Sequence, residues 1–158
     1  MLSYRNGVYD LKTGTFRKSS SLDYLIMAID YELPKKADKE ILDEINKFID
    51  SIMPNEEEKQ YLIKWLGSCL SGFNKDEIFT ILTDGEDDAI WDRYRIIDFV
   101  FKFADNVKGP FEKKIDCHLK DEVKTWGPQF MLILLDYYKQ YEKEDGLHPS
   151  TAVAAKVR

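Results

Sequence analysis

The apolar positions between residues 38 and 53 repeat with the period of an α-helix. They recur at intervals of three and four from Ile41 to Met53, which predicts one buried helix face. Asp38 stands where an N-cap is expected, and Pro54 ends the pattern. The sequence therefore predicts a helix over residues 39–53.

A second helical pattern begins directly after the first. Asn55, with Glu58 three residues later, is typical of a helix start, and Gly72 suits a C-terminal cap. The predicted apolar face consists of Tyr61, Leu62, Trp65, Leu66, Cys69, Leu70 and Phe73. Because the connection is short, the two helices should form a hairpin with Trp65 buried between them.

The start of the chain alternates in the way of short strands. Residues 2–5 and 8–11 flank Asn6-Gly7, a pair that readily forms a two-residue hairpin turn. Gly14 marks a second turn into a strand around Phe16, which predicts a β-meander. Residues 19–37 show no pattern that predicts an element.

Two apolar stretches in the middle of the chain, residues 78–82 and 96–101, predict buried strands. Parallel neighbours usually need a crossover of a dozen or more residues. The acidic junction 84–92 offers only nine and begins with Asp84-Gly85, a turn sequence. The two strands are therefore expected to pair antiparallel, as a hairpin.

The last third of the chain is again helical in pattern. Ile115, Leu119 and Val123 predict one amphipathic segment that ends near Gly127-Pro128. A second segment, ending at Gly146, carries a stripe made of Phe130, Leu134, Tyr138 and Tyr141. The spacing of its tyrosines favours packing over the stacking of bases. The predicted fold class is α+β: an N-terminal β-hairpin or meander, a helical hairpin, two central buried strands and C-terminal helices.

Composition and charge narrow the class of protein. The 158 residues are 44% hydrophobic and carry a net charge of −6. Residues 37–88 hold five lysines against fourteen acidic residues, whereas both flanks are slightly basic. This distribution neither excludes nor indicates nucleic-acid binding. No apolar stretch approaches the ~20 residues of a membrane span, and no signal segment opens the chain, so we expect an intracellular, cytoplasmic protein with no membrane contact. Cys69 and Cys117 are expected to be reduced, buried thiols.

One spacing of charged residues suggests metal chemistry. Asp98 or Asp105, followed by Glu112 and Lys114, resembles the acid, acid-x-lysine order of metal-dependent nucleases, whose carboxylates hold magnesium across a scissile phosphate. The same residues also suit an ordinary solvated surface. Cys117-His118 is a poor nucleophile and base pair, because helix neighbours point about 100° apart.

Several motifs in order resemble a known family. These are Asn6-Gly7-Val8-Tyr9-Asp10-Leu11 with Lys12-Thr13-Gly14-Thr15-Phe16, then Leu66-Gly67-Ser68-Cys69-Leu70-Ser71-Gly72, then Phe79-Thr80-Ile81-Leu82. They look like the segment that precedes the ATPase core in the superfamily 3 primase–helicases of poxviruses, giant viruses and some phages. There the strand runs into a phosphate-binding loop, the P-loop. No Gly-x-x-x-x-Gly-Lys-Ser/Thr occurs in these 158 residues.

A second block resembles the segment on the C-terminal side of that core. The family pattern is Trp-Arg-Arg-Ile-x-Val-Ile-x-Phe, and Trp91-Asp92-Arg93-Tyr94-Arg95-Ile96-Ile97-Asp98-Phe99 is similar to it. By this resemblance Arg93 is an arginine finger that acts on a neighbouring subunit's nucleotide. This sequence has Asp92 at the position of the first arginine in the family pattern. About 100 residues, an AAA+ core of ordinary domain size, would separate the two blocks in the family.

The resemblance implies three regions: 1–83, similar to the segment before the core; the acidic junction 84–92; and 93–158, similar to the end of the core and the helices beyond. It implies an incomplete module of a viral replicative helicase–primase that has no cofactor and no ATPase activity of its own. Such a module would provide contacts to other subunits or replication proteins, and weak contacts to DNA, during DNA replication. The alternatives are the metal-dependent nuclease and a non-enzymatic protein that binds a viral or host partner.

Overall fold

The computed structural model describes residues 1–73, 75–76, 79–83, 94–149 and 153–154. Within them the chain forms three helices and seven strands, which confirms the α+β class. The elements are β1 (Leu2–Tyr4), β2 (Gly7–Asp10), β3 (Thr15–Arg17), α1 (Lys39–Ile52), α2 (Glu56–Ser68), β4 (Phe79–Thr83), β5 (Tyr94–Asp98), β6 (Lys102–Ala104), β7 (Glu112–Lys114) and α3 (Leu119–Glu144). Short 3₁₀ turns lie at Ser21–Asp23 and Cys69–Ser71.

The first three strands form the predicted antiparallel meander in the order β1-β2-β3. The predicted turn was wrong by one position, because Tyr4 pairs with Gly7 and the turn is Arg5-Asn6. Gly7 belongs to the strand since β3 passes very close: a Cβ atom there would lie 2.4 Å from the carbonyl oxygen of Arg17. The Asn6 side chain instead forms two hydrogen bonds with the main chain of Leu33. Its Nδ2 donates to the carbonyl oxygen at 2.9 Å, and its Oδ1 accepts from the N–H at 3.0 Å.

The helical hairpin is confirmed, with both caps in place. The Asp38 side chain accepts hydrogen bonds from the main-chain N–H groups of Glu40 and Ile41. The Asn55 side chain does the same for Glu57 and Glu58. Each cap satisfies donors that a helix start leaves unpaired.

The predicted buried face of α2 was wrong in part. Trp65 is only half-buried, Phe73 is 73% exposed and Cys69 is exposed. Ile63, Gly67 and Ser68 are buried instead, because α3 packs against another side of α2. A Cβ atom on Gly67 would lie 3.0 Å from the carbonyl oxygen of Leu134, which shows how closely the two backbones approach.

Residues 119–144 form one helix, whereas the sequence predicted two segments divided at Gly127-Pro128. Pro128 lies inside this helix, where buried Trp126 and Gln129 on either side hold it against the rest of the molecule. Packing therefore outweighs the local cost of a proline. Cys117 lies before the helix start and is exposed, contrary to the expectation of a buried thiol.

Helix α3 contacts three apolar clusters along its length. Near its start Trp126 packs with Ile45, Ile49 and Ile63 of α1 and α2, a cluster that we call the three-helix core. In its middle Leu135 packs against Tyr4, Tyr9 and Leu33, the sheet core. Near its end Tyr138 and Tyr141 join the strand core, which also contains Met53, Tyr61, Leu62, Ile97, Leu147 and Val153. The buried tyrosines confirm the packing interpretation of that stripe.

The central strands pair in parallel, so the predicted antiparallel hairpin was wrong. Phe79 lies opposite Tyr94, and Thr83 lies opposite Asp98. The observed strand bounds leave residues 84–93 for the connection, which can reach about 33 Å when extended. A five-residue strand is about 17 Å long, so ten residues are enough to reach back to the start of β5. The strands β6 and β7 form a second parallel pair that the sequence did not predict.

Candidate functional site

The candidate functional site is the β4–β5 pair, where the two blocks of family-like sequence meet. The parallel register aligns the carboxyl ends of both strands at one edge, with Thr83 beside Asp98. In parallel sheets, ligands bind at the edge formed by the carboxyl ends of the strands. Residues 84–93, which include the predicted acidic junction 84–92, lie outside the described residues.

One buried residue attaches β5 to the helical body. Ile97 has no solvent-exposed surface and packs in the strand core beside Tyr138 and Tyr141 of α3. Phe99, directly after the strand, packs against the same cluster. The position of β5 is therefore fixed by apolar contacts with helices.

A polar contact attaches the chain just before β4 to the end of α3. The Asp76 carboxylate accepts a hydrogen bond from the Tyr141 hydroxyl at 2.9 Å and another from the Leu147 main-chain N–H at 3.0 Å. Gly146 makes room for it, because a Cβ atom there would lie 2.6 Å from Asp76 Oδ1. Beside this contact, Lys75 forms an ion pair with Asp145.

Burial and charge determine the electrostatics of this contact. Burial raises the pKa of the Tyr141 hydroxyl, and its hydrogen bond to Asp76 raises it further. The phenol is therefore neutral and remains a donor at physiological pH. Sequence reasoning missed Asp76, whose hydrogen-bond partners lie 65 and 71 residues further along the chain. No local pattern could have indicated this contact.

Arg93, the arginine-finger residue implied by the resemblance, lies outside the described residues. Tyr94, the next residue, begins β5. The catalytic role of Arg93 stays a prediction.

The residues of the nuclease hypothesis belong to two different strand pairs. Asp98 ends β5, whereas Asp105, Glu112 and Lys114 belong to the β6–β7 region. The Glu112 carboxylate accepts a hydrogen bond from the Lys108 main-chain N–H at 2.6 Å, which closes the turn before β7. In the described part of the chain, no three His, Cys, Asp or Glu side chains form a group that could hold a metal ion.

The Cys117-His118 pair does not form a nucleophile and base site. Both residues are exposed and precede α3, with His118 as its N-cap residue. The main-chain N–H of His118 donates to the Asp116 carboxylate at 2.9 Å, so this segment forms the turn that starts the helix.

None of the helices in the described part of the chain has the length and apolar character that a membrane span requires.

Three viral proteins are similar to this chain, each over about half of it. The chain is 33% identical over 84 residues, 52% of its length, to "Putative helicase L207/L206" of Acanthamoeba polyphaga mimivirus. It is 32% identical over 80 residues, or 49%, to "Putative helicase 121R" of Invertebrate iridescent virus 3. It is 32% identical over 90 residues, or 56%, to "Putative helicase 184R" of Invertebrate iridescent virus 6. No protein-family model matches the chain.

These matches relate about half of the chain to viral proteins that are named as putative helicases. The matched regions make up 9%, 8% and 9% of the three relatives, so the chain spans less than a tenth of their length. The similarity therefore concerns a small region of a much larger helicase.

Proposed function

We propose that this chain is a module of a viral replicative DNA helicase–primase of superfamily 3, one that provides contacts to other subunits and to DNA or replication proteins. The similarity to three viral helicase relatives supports this assignment. In the proposal, the nucleotide is bound by a neighbouring subunit, because the 158 residues contain no P-loop sequence.

The observation that carries the proposal is the parallel register of β4 and β5. In the resembled family, the strand before the P-loop and the strand after the arginine finger lie side by side and parallel. A ten-residue connection would by itself favour an antiparallel hairpin, since parallel crossovers usually need a dozen residues or more. The parallel pairing is the arrangement expected if both strands keep the places they hold around the family's ATPase core.

Arg93 is the residue through which the module would act on ATP. An arginine finger supplied by a neighbouring subunit stabilises the charge that develops on the transferred phosphoryl group, with rate effects of about 10³–10⁵-fold. Arg93 directly precedes β5, which Ile97 attaches to the helical body.

The test mixes the purified chain with a full-length viral helicase that carries the family's P-loop. We expect the chain to associate with that helicase and to change its ATP turnover, and we expect Arg93→Ala to remove the change without abolishing association. Lys120→Ala, at an exposed position of α3, is the matched control and should behave like the unchanged chain. The chain alone should hydrolyse no ATP above a no-protein control.

Two results would contradict the proposal. Failure to associate with the helicase, measured by sedimentation, would remove the module role. ATP turnover by the chain alone that Arg93→Ala abolishes would mean that the chain has its own nucleotide site.

The nuclease alternative predicts magnesium-dependent cleavage of DNA that Glu112→Ala abolishes, and the described structure contains no observation that favours it.

A further inference from the structure

A run of large apolar side chains between β3 and α1 is open to solvent. Leu22 is 74% exposed, and four consecutive residues, Tyr24, Leu25, Ile26 and Met27, are 84%, 39%, 98% and 85% exposed. Single exposed apolar residues are ordinary on a protein surface. Five within six positions form a contiguous patch of the kind that marks an interaction site. We call residues 22–27 the apolar segment.

The apolar segment is held at its N-terminal end. Arg17 donates two hydrogen bonds to the Asp23 carboxylate, whose side chain is only 7% exposed. Asp23 also accepts a hydrogen bond from the main-chain N–H of Ser20, which completes a capping box. These contacts fix the 3₁₀ turn Ser21–Asp23, which contains the first two residues of the segment.

The C-terminal end of the segment is held by the sheet. The main-chain N–H of Ile29 donates to the carbonyl oxygen of Ser3, in β1, at 2.8 Å. Further along, the two-sided contact between the Asn6 amide and Leu33 holds the chain again. A segment fixed at both ends loses less conformational freedom when it binds a partner.

Between these fixed ends the backbone is open for pairing. Residues 24–28 form no main-chain hydrogen bond with any residue that the structure describes. Tyr24 adopts a left-handed conformation with φ of +50°, which strains a residue that has a Cβ atom. Glycine would remove that strain, yet the position carries a large aromatic side chain exposed to solvent. An apolar segment whose N–H and C=O groups bind no described main-chain group is a template for the addition of a strand.

The composition of the segment favours an identical segment as its partner. Residues 24–29, Tyr-Leu-Ile-Met-Ala-Ile, contain no charge, no proline and no glycine. Short uncharged segments with β-branched and aromatic residues pair readily with copies of themselves. A partner of the same sequence would meet apolar side chains along the whole length of the segment.

The charges beside the segment favour an antiparallel arrangement. Lys18 lies on its N-terminal side and Glu32 on its C-terminal side, and both are exposed. Neither forms an ion pair with a described residue, whereas their charged neighbours Arg17 and Asp30 are already paired within the chain. Antiparallel pairing brings Lys18 of one copy to the side of Glu32 of the other, and parallel pairing brings like charges together.

We infer that the apolar segment is a dimer contact, in which residues 25–28 of two copies of this chain pair as antiparallel strands about a two-fold axis. This goes beyond the proposed function, which names no surface for subunit contacts.

The test measures the association of the 158-residue chain by analytical ultracentrifugation over a range of concentrations. We expect a reversible dimer, and Ile26→Asp should weaken it at least 100-fold. Because the Ile26 side chain is 98% exposed, this change should leave the thermal midpoint unaltered. Phe73→Asp, at another apolar position that is 73% exposed, is the matched control and should leave the dimer intact.

A charge exchange tests the orientation of the two strands. Lys18→Glu and Glu32→Lys should each weaken the dimer, and the double variant should restore it. A double variant weaker than both single variants would overturn the antiparallel arrangement.

Three other results would overturn the inference. One is a chain that stays monomeric at every concentration. Another is an assembly that Ile26→Asp leaves unchanged, which would place the contact elsewhere and leave the proposed helicase role standing. The third is a monomer that binds vesicles of phosphatidylserine and phosphatidylcholine through Ile26, which would assign the segment to a membrane surface. A helicase mixture whose ATP turnover the chain leaves unchanged, with the dimer intact, would contradict the proposed function alone.

Discussion

The α1–α2 hairpin and the β4–β5 pair lie in the same molecule but depend on different kinds of information. In the hairpin, each boundary is marked by a residue beside it: Asp38 caps α1, Pro54 lies just after it, and Asn55 caps α2. In the strand pair, the direction of pairing depends on contacts with distant parts of the chain. Ile97 packs on α3, and Asp76 binds residues near the end of that helix.

This difference explains which element the local pattern could specify. A ten-residue connection favours a hairpin when two strands are considered alone. Docking on α3 adds the burial of Ile97 and two hydrogen bonds to Asp76, which the local sequence does not reveal. Tertiary contacts therefore hold the two strands against α3, whereas the caps mark the starts of the helices.

The largest expected effect concerns the core between the helices. Trp126 is 7% exposed, and its ring centre lies 5.6 Å from that of Phe48 in α1. Trp126→Ala should lower the free energy of unfolding by about 3–5 kcal/mol, as measured by urea denaturation. Trp65→Ala should cost clearly less, because Trp65 is half-buried. Equal losses for both tryptophans would mean that α2 buries a different face from the one observed.

A second prediction tests the close contact between α2 and α3. Gly67→Ala should destabilise the protein by about 1–3 kcal/mol, as overpacking does, since its Cβ atom would lie 3.0 Å from Leu134 O and 3.1 Å from Tyr138 N. An alanine in an open helix would instead be stabilising. The control Gly109→Ala meets no atom within 4 Å and should stay within about 0.5 kcal/mol of the parent. A stabilising Gly67→Ala would show that the helices lie further apart.

A smaller effect is expected at the start of α2, where Asn55 caps the helix. Asn55→Ala removes the acceptor for two main-chain N–H groups and should cost about 1 kcal/mol of unfolding free energy. Asn46 is a matched control, because it is an exposed asparagine in the middle of α1. Asn46→Ala should stabilise by a few tenths of a kcal/mol through helix propensity. The same sign for both changes would argue against the cap.

The smallest effect concerns pH and the contact that holds the apolar segment. Hydrogen bonds from Arg17 and from the Ser20 main chain lower the pKa of Asp23 to about 2. The folded-state pKa lies below the unfolded value of about 3.9, so this stabilisation is present above pH 4 and is lost as the pH falls from 4 towards 2. Asp23→Asn should flatten the fall of the thermal midpoint over that interval, and Asp30→Asn, at a carboxylate 90% exposed, should change it less. If the thermal midpoint of Asp23→Asn fell between pH 4 and pH 2 as steeply as that of the parent, the Arg17–Asp23 ion pair would be contradicted.

The sequence predicted the helical hairpin and the meander because their signals lie within a few residues of each boundary. It predicted the wrong hairpin turn, since the choice between Asn6 and Gly7 depends on how closely β3 passes Gly7. It divided α3 at Pro128, where burial of Trp126 and Gln129 preserves the helix. At the candidate site it identified the two strands by their apolar residues. It could not identify Asp76, because its partners lie at the end of α3, and the short connection favoured the wrong direction for β5.

The most direct test of the central claim is the direction of β5 beside β4, read from inter-strand NOEs in an NMR spectrum of the isotopically labelled chain. The parallel pair predicts main-chain contacts between Phe79 and Tyr94 at one end and between Thr83 and Asp98 at the other. An antiparallel hairpin would instead place Phe79 beside Asp98 and Thr83 beside Tyr94. That second pattern would contradict the parallel β4–β5 pair and remove the observation that carries the helicase-module proposal.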